Sequence, residues 1–209
     1  MTELDEKLTF RIKGNELVHC ASASLDMAAA AQFQDSLRPF AFRRPRIGYL
    51  YGRFLKTDEA IAKEEADAAL AEQTRKQLSS YGSSKGSMRI SDFKKGEDER
   101  PTRRVEVDAI YEPPQDVREG GNVVPLIDPK AEVVDTVAKN LGLEKVGVVL
   151  AYPPGRSGFH ISAHEIIVTG LACLDATNGA RDSPFTLVTV TADEQGGVEM
   201  LAWPLTKPC

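Results

Sequence analysis

Along the first quarter of the chain, the spacing of hydrophobic and polar residues predicts two strands, a helix and a third strand. Residues 8–13 alternate between apolar and polar side chains, which predicts a half-buried strand, and residues 17–21 are its expected hairpin partner. Asp26 precedes an alanine-rich segment that reaches Leu37, a pattern typical of a helix capped by an aspartate. Residues 47–55 are rich in tyrosine and phenylalanine and predict a strand.

The middle of the chain predicts a strand, a helix and a second strand. Residues 105–111 again alternate between apolar and polar side chains, which predicts a strand. The prolines at positions 113 and 114 are expected to end it. Asp128 and Pro129 predict the start of a helix with Pro129 at its first helical position, and Gly142 is expected to end it. Residues 146–150 form a continuous apolar run, which is typical of a central strand buried on both faces.

The C-terminal region predicts one helix and two strands. Ser162 and Glu165 have the spacing of a capping box ahead of an apolar helix over residues 166–174. Residues 185–191 and 198–205 predict two closing strands, separated by a glycine turn. The order of all these elements predicts an α/β fold with a mixed β-sheet flanked by helices.

A long charged insertion separates two of the predicted strands. From Thr57 the composition changes, and residues 58–78 are charged and alanine-rich, which favours a helix with only a thin apolar stripe. Residues 79–87 are rich in serine and glycine and indicate a flexible linker, after which a further charged run follows. We interpret residues 57–103 as an insertion into a single domain that spans residues 1–209.

Composition and charge narrow the function classes. The net charge of −5 does not favour a general nucleic-acid binder. No apolar run approaches the roughly 18 residues of a membrane-spanning helix, and the polar N-terminus does not resemble a signal peptide. The three cysteines include no CxxC pair, so neither a disulfide framework nor a zinc ribbon is expected. We therefore expect a cytosolic or nuclear protein without nucleic-acid or membrane partners.

Three short strings make the chain resemble one known domain. They are Gly48-Tyr49-Leu50-Tyr51-Gly52-Arg53, Ala109-Ile110-Tyr111-Glu112-Pro113-Pro114-Gln115 and Asp128-Pro129-Lys130-Ala131-Glu132-Val133-Val134-Asp135. Together they resemble the MPN (JAMM-like, Mov34) domain of the nuclear protein localisation 4 family. The resemblance covers most of the chain outside the insertion, and it implies a cytidine-deaminase-like mixed sheet flanked by helices.

In MPN domains that cleave ubiquitin chains, a glutamate acts as general base, and two histidines and an aspartate bind zinc. By the resemblance, the glutamate position falls on Pro45, the two histidine positions on Leu150 and Tyr152, and the aspartate position on Glu165. Proline and leucine have no group that binds zinc or carries a proton, and a phenol is a poor zinc ligand at neutral pH. The resemblance therefore implies a degenerate site with no metal, no cofactor and no catalytic activity.

The sequence shows no evident replacement for the missing ligands. His164-Glu165 falls one histidine short of the HExxH zinc-protease motif, and His164 is expected in the exposed first turn of a helix. A cap is a sufficient explanation for Ser162 and Glu165. A zinc deubiquitinase with unorthodox ligands stays open as the alternative to an inactive domain.

The resemblance also implies partners. Members of the family bind polyubiquitin, pair with a ubiquitin-fusion-degradation partner protein, and act as cofactors of an AAA+ segregase of the valosin-containing protein type. These associations imply a role in ubiquitin-dependent protein degradation, including ER-associated degradation, in the cytoplasm, in the nucleus and, through partners, at the ER surface. The sequence lacks the finger cysteines through which family members dock on the segregase, which counts against a direct contact of this chain with it.

One candidate binding surface is a groove at the degenerate site. Tyr152, Pro153, Arg156 and Phe159 follow the predicted central strand, where an aromatic-lined cleft could hold an extended chain segment. The alternative is that Tyr152 and Phe159 belong to the core. Two functional interpretations remain, a catalytically inactive scaffold that binds ubiquitin and a partner, or an architectural MPN subunit of a larger complex.

Overall fold

The protein folds around a six-stranded mixed β-sheet with helices on both faces. The structure, a computed structural model, describes residues 20–80, 103–154, 161–179, 183–192 and 197–205. The strands are β1 (Ala23–Leu25), β2 (Arg46–Lys56), β3 (Arg103–Tyr111), β4 (Gln115–Val117), β5 (Val123–Pro125), β6 (Glu144–Ala151), β7 (Thr186–Ala192) and β8 (Val198–Pro204). The helices are α1 (Met27–Leu37), α2 (Asp58–Ser80), α3 (Ala131–Asn140) and α4 (Ala163–Ala176). The α/β class predicted from the sequence is confirmed.

Strands β2 and β6 occupy the centre of the sheet, whose order is β1-β3-β2-β6-β7-β8. Strand β2 runs antiparallel to both of its neighbours, whereas β6 runs parallel to β7. Residues 146–151 of β6 are all buried, as the continuous apolar run predicts. A strand covered on both faces has no reason to alternate between apolar and polar side chains.

Two hydrophobic cores lie on opposite faces of the sheet. Successive side chains of a strand point to opposite faces of the sheet, so β6 contributes to both cores. Val149 belongs to the first core and Leu150 to the second. Helix α1 covers the first core with Phe33 and Leu37, both of which are fully buried. Helix α4 covers the second core, with Val168 and neighbouring side chains packed against it. Among the described helices, none combines the length and the apolar character that crossing a bilayer requires.

The helix caps predicted from the sequence are confirmed. The Asp26 carboxylate accepts hydrogen bonds from the backbone N–H groups of Ala28 and Ala29, each at 2.9 Å, and so begins α1. Ser162 begins α4 by accepting from the N–H of Glu165 at 3.3 Å. The Glu165 carboxylate in turn accepts from the N–H of Ser162 at 2.7 Å, which completes the capping box.

The insertion replaces the turn of a hairpin. Lys56 at the end of β2 lies opposite Arg103 at the start of β3, so the two ends of the inserted segment are adjacent. Helix α2 begins at Asp58 as predicted, and residues 61–73 are exposed on every side. It continues to Ser80, so the first two residues of the predicted linker are helical instead, and residues 81–102 lie outside the described residues.

Helix α3 begins two residues later than the sequence predicts. Pro129 was expected at the first helical position, but the helix starts at Ala131 because the Asp128 carboxylate accepts from the N–H of Lys130 and holds residues 128–130 in a turn. The apolar side of α3 is mostly uncovered, and only Ala138 in this helix is buried. The helix therefore presents hydrophobic side chains to the solvent rather than to the sheet.

Two short features differ from the sequence prediction. Strands β4 and β5 form a hairpin that residue patterns did not reveal, since strands of three residues carry too little periodicity to detect. The predicted strand over residues 8–13 lies outside the described residues. Of the predicted strand over residues 17–21, only Cys20 and Ala21 are described, and neither is in a strand, which begins at Ala23 instead.

Two glycines of β2 allow its close approach to neighbouring strands. A Cβ at Gly52 would overlap the backbone carbonyl of Glu106 in β3, which cannot move without breaking the sheet. A Cβ at Gly48 would come too close to two side-chain methyl groups, those of Ile110 and Val149 at 2.9 Å, and would make an ordinary contact with the backbone carbonyl oxygen of Tyr111 at 3.4 Å.

We expect Gly52→Ala to lower the free energy of unfolding by about 3 kcal/mol and Gly48→Ala by about 1 kcal/mol, because side chains yield more readily than backbone. Urea denaturation followed by circular dichroism measures both. Equal losses from the two substitutions would contradict this account of β2.

Candidate functional site

The second and third sequence strings meet the first on one face of the sheet. The Tyr51 hydroxyl of β2 donates a hydrogen bond to the Asp135 carboxylate of α3 at 2.6 Å. The Tyr111 hydroxyl at the end of β3 donates to the Asp128 carboxylate at 2.7 Å. Hydrogen bonds to charged acceptors are short and strong, so these two pairs fasten α3 and its preceding turn to the sheet.

A lysine links this network to the other helix of the same face. The Lys145 ammonium group of β6 lies 4.7 Å from the centre of the Tyr49 ring. It also lies 3.8 Å from carboxylate oxygens of Asp135 in α3 and Asp175 in α4. Since the Lys145 side chain is largely shielded while both carboxylates are exposed, the lysine is the buried end of the cluster.

Burial and the neighbouring carboxylates favour the neutral phenols. The pKa of Tyr51 is raised well above its ordinary value, first by burial and then by the hydrogen bond to Asp135. The hydrogen bond to Asp128 raises the pKa of Tyr111 to about 12, with a smaller effect of burial. Burial, followed by the charges of Asp175 and other carboxylates, raises the pKa of Tyr49. These tyrosines act as hydrogen-bond donors or ring partners, which is a structural role.

Residues of the second string also bind the beginning of β2. The Gln115 side chain accepts from the N–H of Ile47 at 2.8 Å and donates to the carbonyl of Ile47 at 3.0 Å, as a neighbouring strand would. Arg46 forms an ion pair with Glu112, with 3.0 Å between the nitrogen and the oxygen. Glu112 and Gln115 of the second string therefore hold the start of β2 next to the end of β3.

Three of the four positions that the resemblance assigns to a metal site lie at or next to the ends of the two central strands, and the fourth, Glu165, lies in α4. Arg46 is opposite Ala151 in the antiparallel register, so Pro45 precedes this pair on β2 and Tyr152 follows it on β6. Leu150 is only 1% exposed and belongs to the second core. Tyr152 is 5% exposed, and its backbone N–H donates to the carbonyl of Val190 at 3.1 Å. Buried, largely apolar side chains thus occupy this end of the sheet.

Glu165 and His164 have structural partners in the first turn of α4. The Glu165 carboxylate serves the capping box and is buried. A ring nitrogen of His164 lies 2.9 Å from the carbonyl of Val123 in β5, and the ring is half-buried, so the expectation of an exposed histidine is wrong. The β4–β5 hairpin, which the sequence did not reveal, covers this residue. Across the described ranges, no group of three or more metal-binding side chains has suitable geometry.

The predicted groove is only partly within the described residues. Tyr152 is buried and Pro153 is half-buried, whereas Arg156 and Phe159 lie outside the described residues. Burial of Tyr152 fits the alternative in which this tyrosine belongs to the core. Its side chain offers little area to a bound peptide.

A different surface, which sequence reasoning missed, exposes large apolar side chains. It comprises Leu126, Ile127, Val133, Val137 and Leu141, which are between 49% and 95% exposed. We call these five residues the α3 surface. Exposed apolar groups that lie together on one side of a helix, as Val133, Val137 and Leu141 do, mark interaction sites in many proteins. The signal in the sequence was that α3 has more apolar positions than one sheet-facing stripe needs.

Known proteins of one family are similar to this chain. The model of the NPL4 family matches residues 101–152, a range that includes the second and third strings and the degenerate positions of β6. A nuclear protein localization protein 4 homolog from Dictyostelium discoideum is 27% identical over 165 residues, which are 79% of this chain and 20% of that protein. The resemblance predicted from the three strings is thereby confirmed.

Animal proteins of the same name match a shorter part of the chain. The Homo sapiens homolog is 37% identical over 110 residues, which are 45% of this chain and 18% of that protein. The Drosophila melanogaster homolog is 32% identical over 127 residues, 51% of this chain and 19% of that protein. The chain therefore spans about a fifth of the length of the curated relatives it matches.

The Tyr51–Asp135 hydrogen bond predicts a measurable loss of stability on substitution. Tyr51→Phe should lower the free energy of unfolding by about 1 kcal/mol, because the bond is lost while exposed Asp135 regains water. Tyr49→Phe is the matched control, since the Tyr49 hydroxyl forms no hydrogen bond within the described residues and its removal should change stability by less than about 0.5 kcal/mol. Chemical denaturation measures both, and equal effects would contradict the assigned role of Tyr51.

The raised tyrosine pKa values predict a loss of stability in alkali. A group whose pKa is higher in the folded state stabilises fully below its unfolded value, here 10.0, and loses that contribution as the pH rises through the folded value. We therefore expect the free energy of unfolding to fall from about pH 10 upward. Tyr111→Phe should flatten this fall up to pH 12 or so, which denaturation over an alkaline series would show. An unchanged slope in that variant would count against the Tyr111–Asp128 pair.

Proposed function

Since this chain is related to the NPL4 family, we propose that it is a catalytically inactive MPN-like domain that binds ubiquitin and a partner protein as a scaffold. In this proposal the chain serves a cofactor of an AAA+ segregase in ubiquitin-dependent protein degradation, in the cytoplasm and nucleus. The segregase and the ubiquitin-fusion-degradation partner belong to the proposal as members of the same assembly.

The observation that carries the proposal is the chemistry at the ends of β2 and β6. A zinc isopeptidase needs nitrogen or oxygen ligands there and an open position for the attacking water. Leu150 offers only hydrocarbon and is packed in the second core, Tyr152 is buried, and Pro45 has no side-chain atom that binds a metal. Glu165, the remaining carboxylate, already accepts the backbone N–H of Ser162. These side chains support a structural role for the region and not a hydrolytic one.

The α3 surface supports the binding function. Its five apolar side chains are exposed, and Val133, Val137 and Leu141 follow one another along a single stripe of the helix. Such a surface fits a partner that presents an apolar patch. The Tyr51–Asp135 and Tyr111–Asp128 hydrogen bonds hold α3 in place, so the surface is formed before a partner arrives.

A binding experiment tests this proposal. The 209-residue chain should retain polyubiquitin on an affinity resin. The double substitution Ile127→Glu and Val137→Glu should reduce binding at least about tenfold, because it places charge where apolar contacts form. The double substitution Met27→Glu and Ile61→Glu is the matched control, since it adds the same two charges at exposed apolar residues outside the α3 surface. Polyubiquitin binding that the double substitution leaves unchanged would contradict the role of α3.

Catalysis is tested separately. We expect no cleavage of diubiquitin by the chain when zinc is added in excess, and no stoichiometric zinc by elemental analysis after purification. Cleavage together with bound zinc would overturn the proposal in favour of an active deubiquitinase with unorthodox ligands.

A further inference from the structure

A basic turn joins α1 to β2. Residues 36–57 contain five arginines and one lysine but no acidic residue, although the chain as a whole has a net charge of −5. Four of these arginines lie close together in the sequence, at positions 38, 43, 44 and 46. We call residues 38–46 the arginine turn. A local excess of positive charge in an acidic protein favours a partner of the opposite charge.

Hydrogen bonds and packing fix the backbone of the arginine turn. The N–H of Ala41 donates to the carbonyl of Arg38, and the N–H of Arg43 donates to the carbonyl of Phe40, each at 2.9 Å. Ala41 and Phe42 both have left-handed conformations, with φ of 48° and 57°, which cost free energy in residues other than glycine. The Phe42 side chain packs against the first core and holds the turn in this conformation. The turn is therefore formed before a partner arrives.

The turn covers one of its aromatic rings and exposes the other. Phe42 is half-buried, whereas Phe40 is 40% exposed and lies among guanidinium groups. The Cζ atom of Arg44 lies 5.2 Å from the centre of the Phe40 ring, and that of Arg46 lies 5.8 Å from it. Cation–π contacts of this kind hold the planar guanidinium groups in place, so less conformational entropy is lost when they bind a ligand.

Two arginines of the turn have no acidic partner in the described part of the chain. Arg43 and Arg44 are exposed, and neither forms an ion pair with a described residue. Arg38 contacts Asp35 at 3.2 Å, but both side chains are about two-thirds exposed and water screens the pair. Guanidinium groups bind carboxylates through two parallel hydrogen bonds. The turn can therefore bind carboxylates of another chain.

The charge of the rest of the chain favours a short ligand. Charges interact over about 8 Å at physiological ionic strength, so a ligand no longer than the turn interacts mainly with its arginines. A nucleic acid or an anionic membrane would extend beyond the turn and meet the acidic groups that give the chain its negative net charge. Aspartate and glutamate side chains of an extended peptide fit the turn without this repulsion.

We propose that the arginine turn binds an acidic peptide segment of a partner protein. Carboxylates of the peptide contact Arg43 and Arg44, and Phe40 holds the Arg44 guanidinium in position for them. The arginine turn shares no residue with the α3 surface, so this peptide is a second ligand and its binding does not rest on the proposed ubiquitin binding.

Fluorescence anisotropy of a labelled peptide tests this binding with the full 209-residue chain. The probe is a peptide of about ten aspartate and glutamate residues, which spans roughly 33 Å when extended. It should bind with an affinity that falls as salt is added, and a peptide with asparagine and glutamine in place of the acids should not bind. The double substitution Arg43→Glu and Arg44→Glu should weaken binding about a hundredfold or more, because it replaces two attractive charges by two repulsive ones.

A second double substitution controls for the change in net charge. Lys63→Glu and Arg104→Glu alter the net charge by the same amount, and both residues are exposed. Lys63 lies in α2, and Arg104 is opposite Leu55 near the end of β2 that is remote from the turn. This variant should bind the peptide within about twofold of the unaltered chain, because its substitutions lie beyond the range of unscreened interaction.

Phe40→Leu tests the positioning role of the ring. Leucine keeps the side chain apolar but removes the cation–π contact with Arg44. The affinity should fall about threefold while its dependence on salt stays the same, because the number of charges is unchanged. An affinity equal to that of the unaltered chain would contradict the role of Phe40.

Four outcomes overturn the proposal. They are absence of peptide binding, equal losses in the two double variants, tighter binding of single-stranded DNA or of anionic lipid vesicles than of the peptide, and self-association of the chain that the peptide displaces, which would assign the turn to acidic α2 of a second copy. The assay contains no ubiquitin, so failure of the proposed ubiquitin binding would leave these measurements unaffected.

Discussion

Strand β2 holds the layers of this protein together, because both of its edges pair with other strands and its side chains contribute to both hydrophobic cores. It pairs with β3 on one side and β6 on the other, so its backbone polar groups are satisfied within the sheet. Gly52 lets the backbone of β3 come close, and Tyr51 extends from the same strand to Asp135 of α3. The position of α3, and with it the exposure of its apolar side chains, follows from this strand.

The ends of the central strands carry the side chains on which the proposal of an inactive domain rests. An isopeptidase must keep an open, polar pocket at the end of β6, which costs stability because unpaired polar groups are buried there. This chain places Leu150 in the second core and uses Glu165 as a helix cap. The region that would hold a metal in an enzyme therefore contributes to the stability of the fold. The apolar groups available for binding lie elsewhere, on the outer sides of α3 and α4.

Helices α3 and α4 both leave apolar side chains exposed among the described residues. Val133 and Val137 are exposed on α3, and Ile167 and Leu171 are exposed on α4. The Asp135 carboxylate of α3 does not lie beside these side chains, because it points toward Tyr51 and Lys145 of the sheet. Lys145, which lies near Asp135 and Asp175, connects the two helices at their buried side.

The sequence by itself determined the features that depend on neighbouring residues. The Asp26 and Ser162 caps, the buried run of β6 and the order of the longer strands and helices follow from local patterns, and so does the absence of zinc-binding side chains at Leu150 and Pro45. Only the tertiary structure decided which apolar faces stay uncovered and that Tyr51 meets Asp135, 84 residues away. The physical reason is that burial and long-range hydrogen bonds depend on how elements pack, and a residue pattern contains no information about which of two apolar sides a sheet will cover.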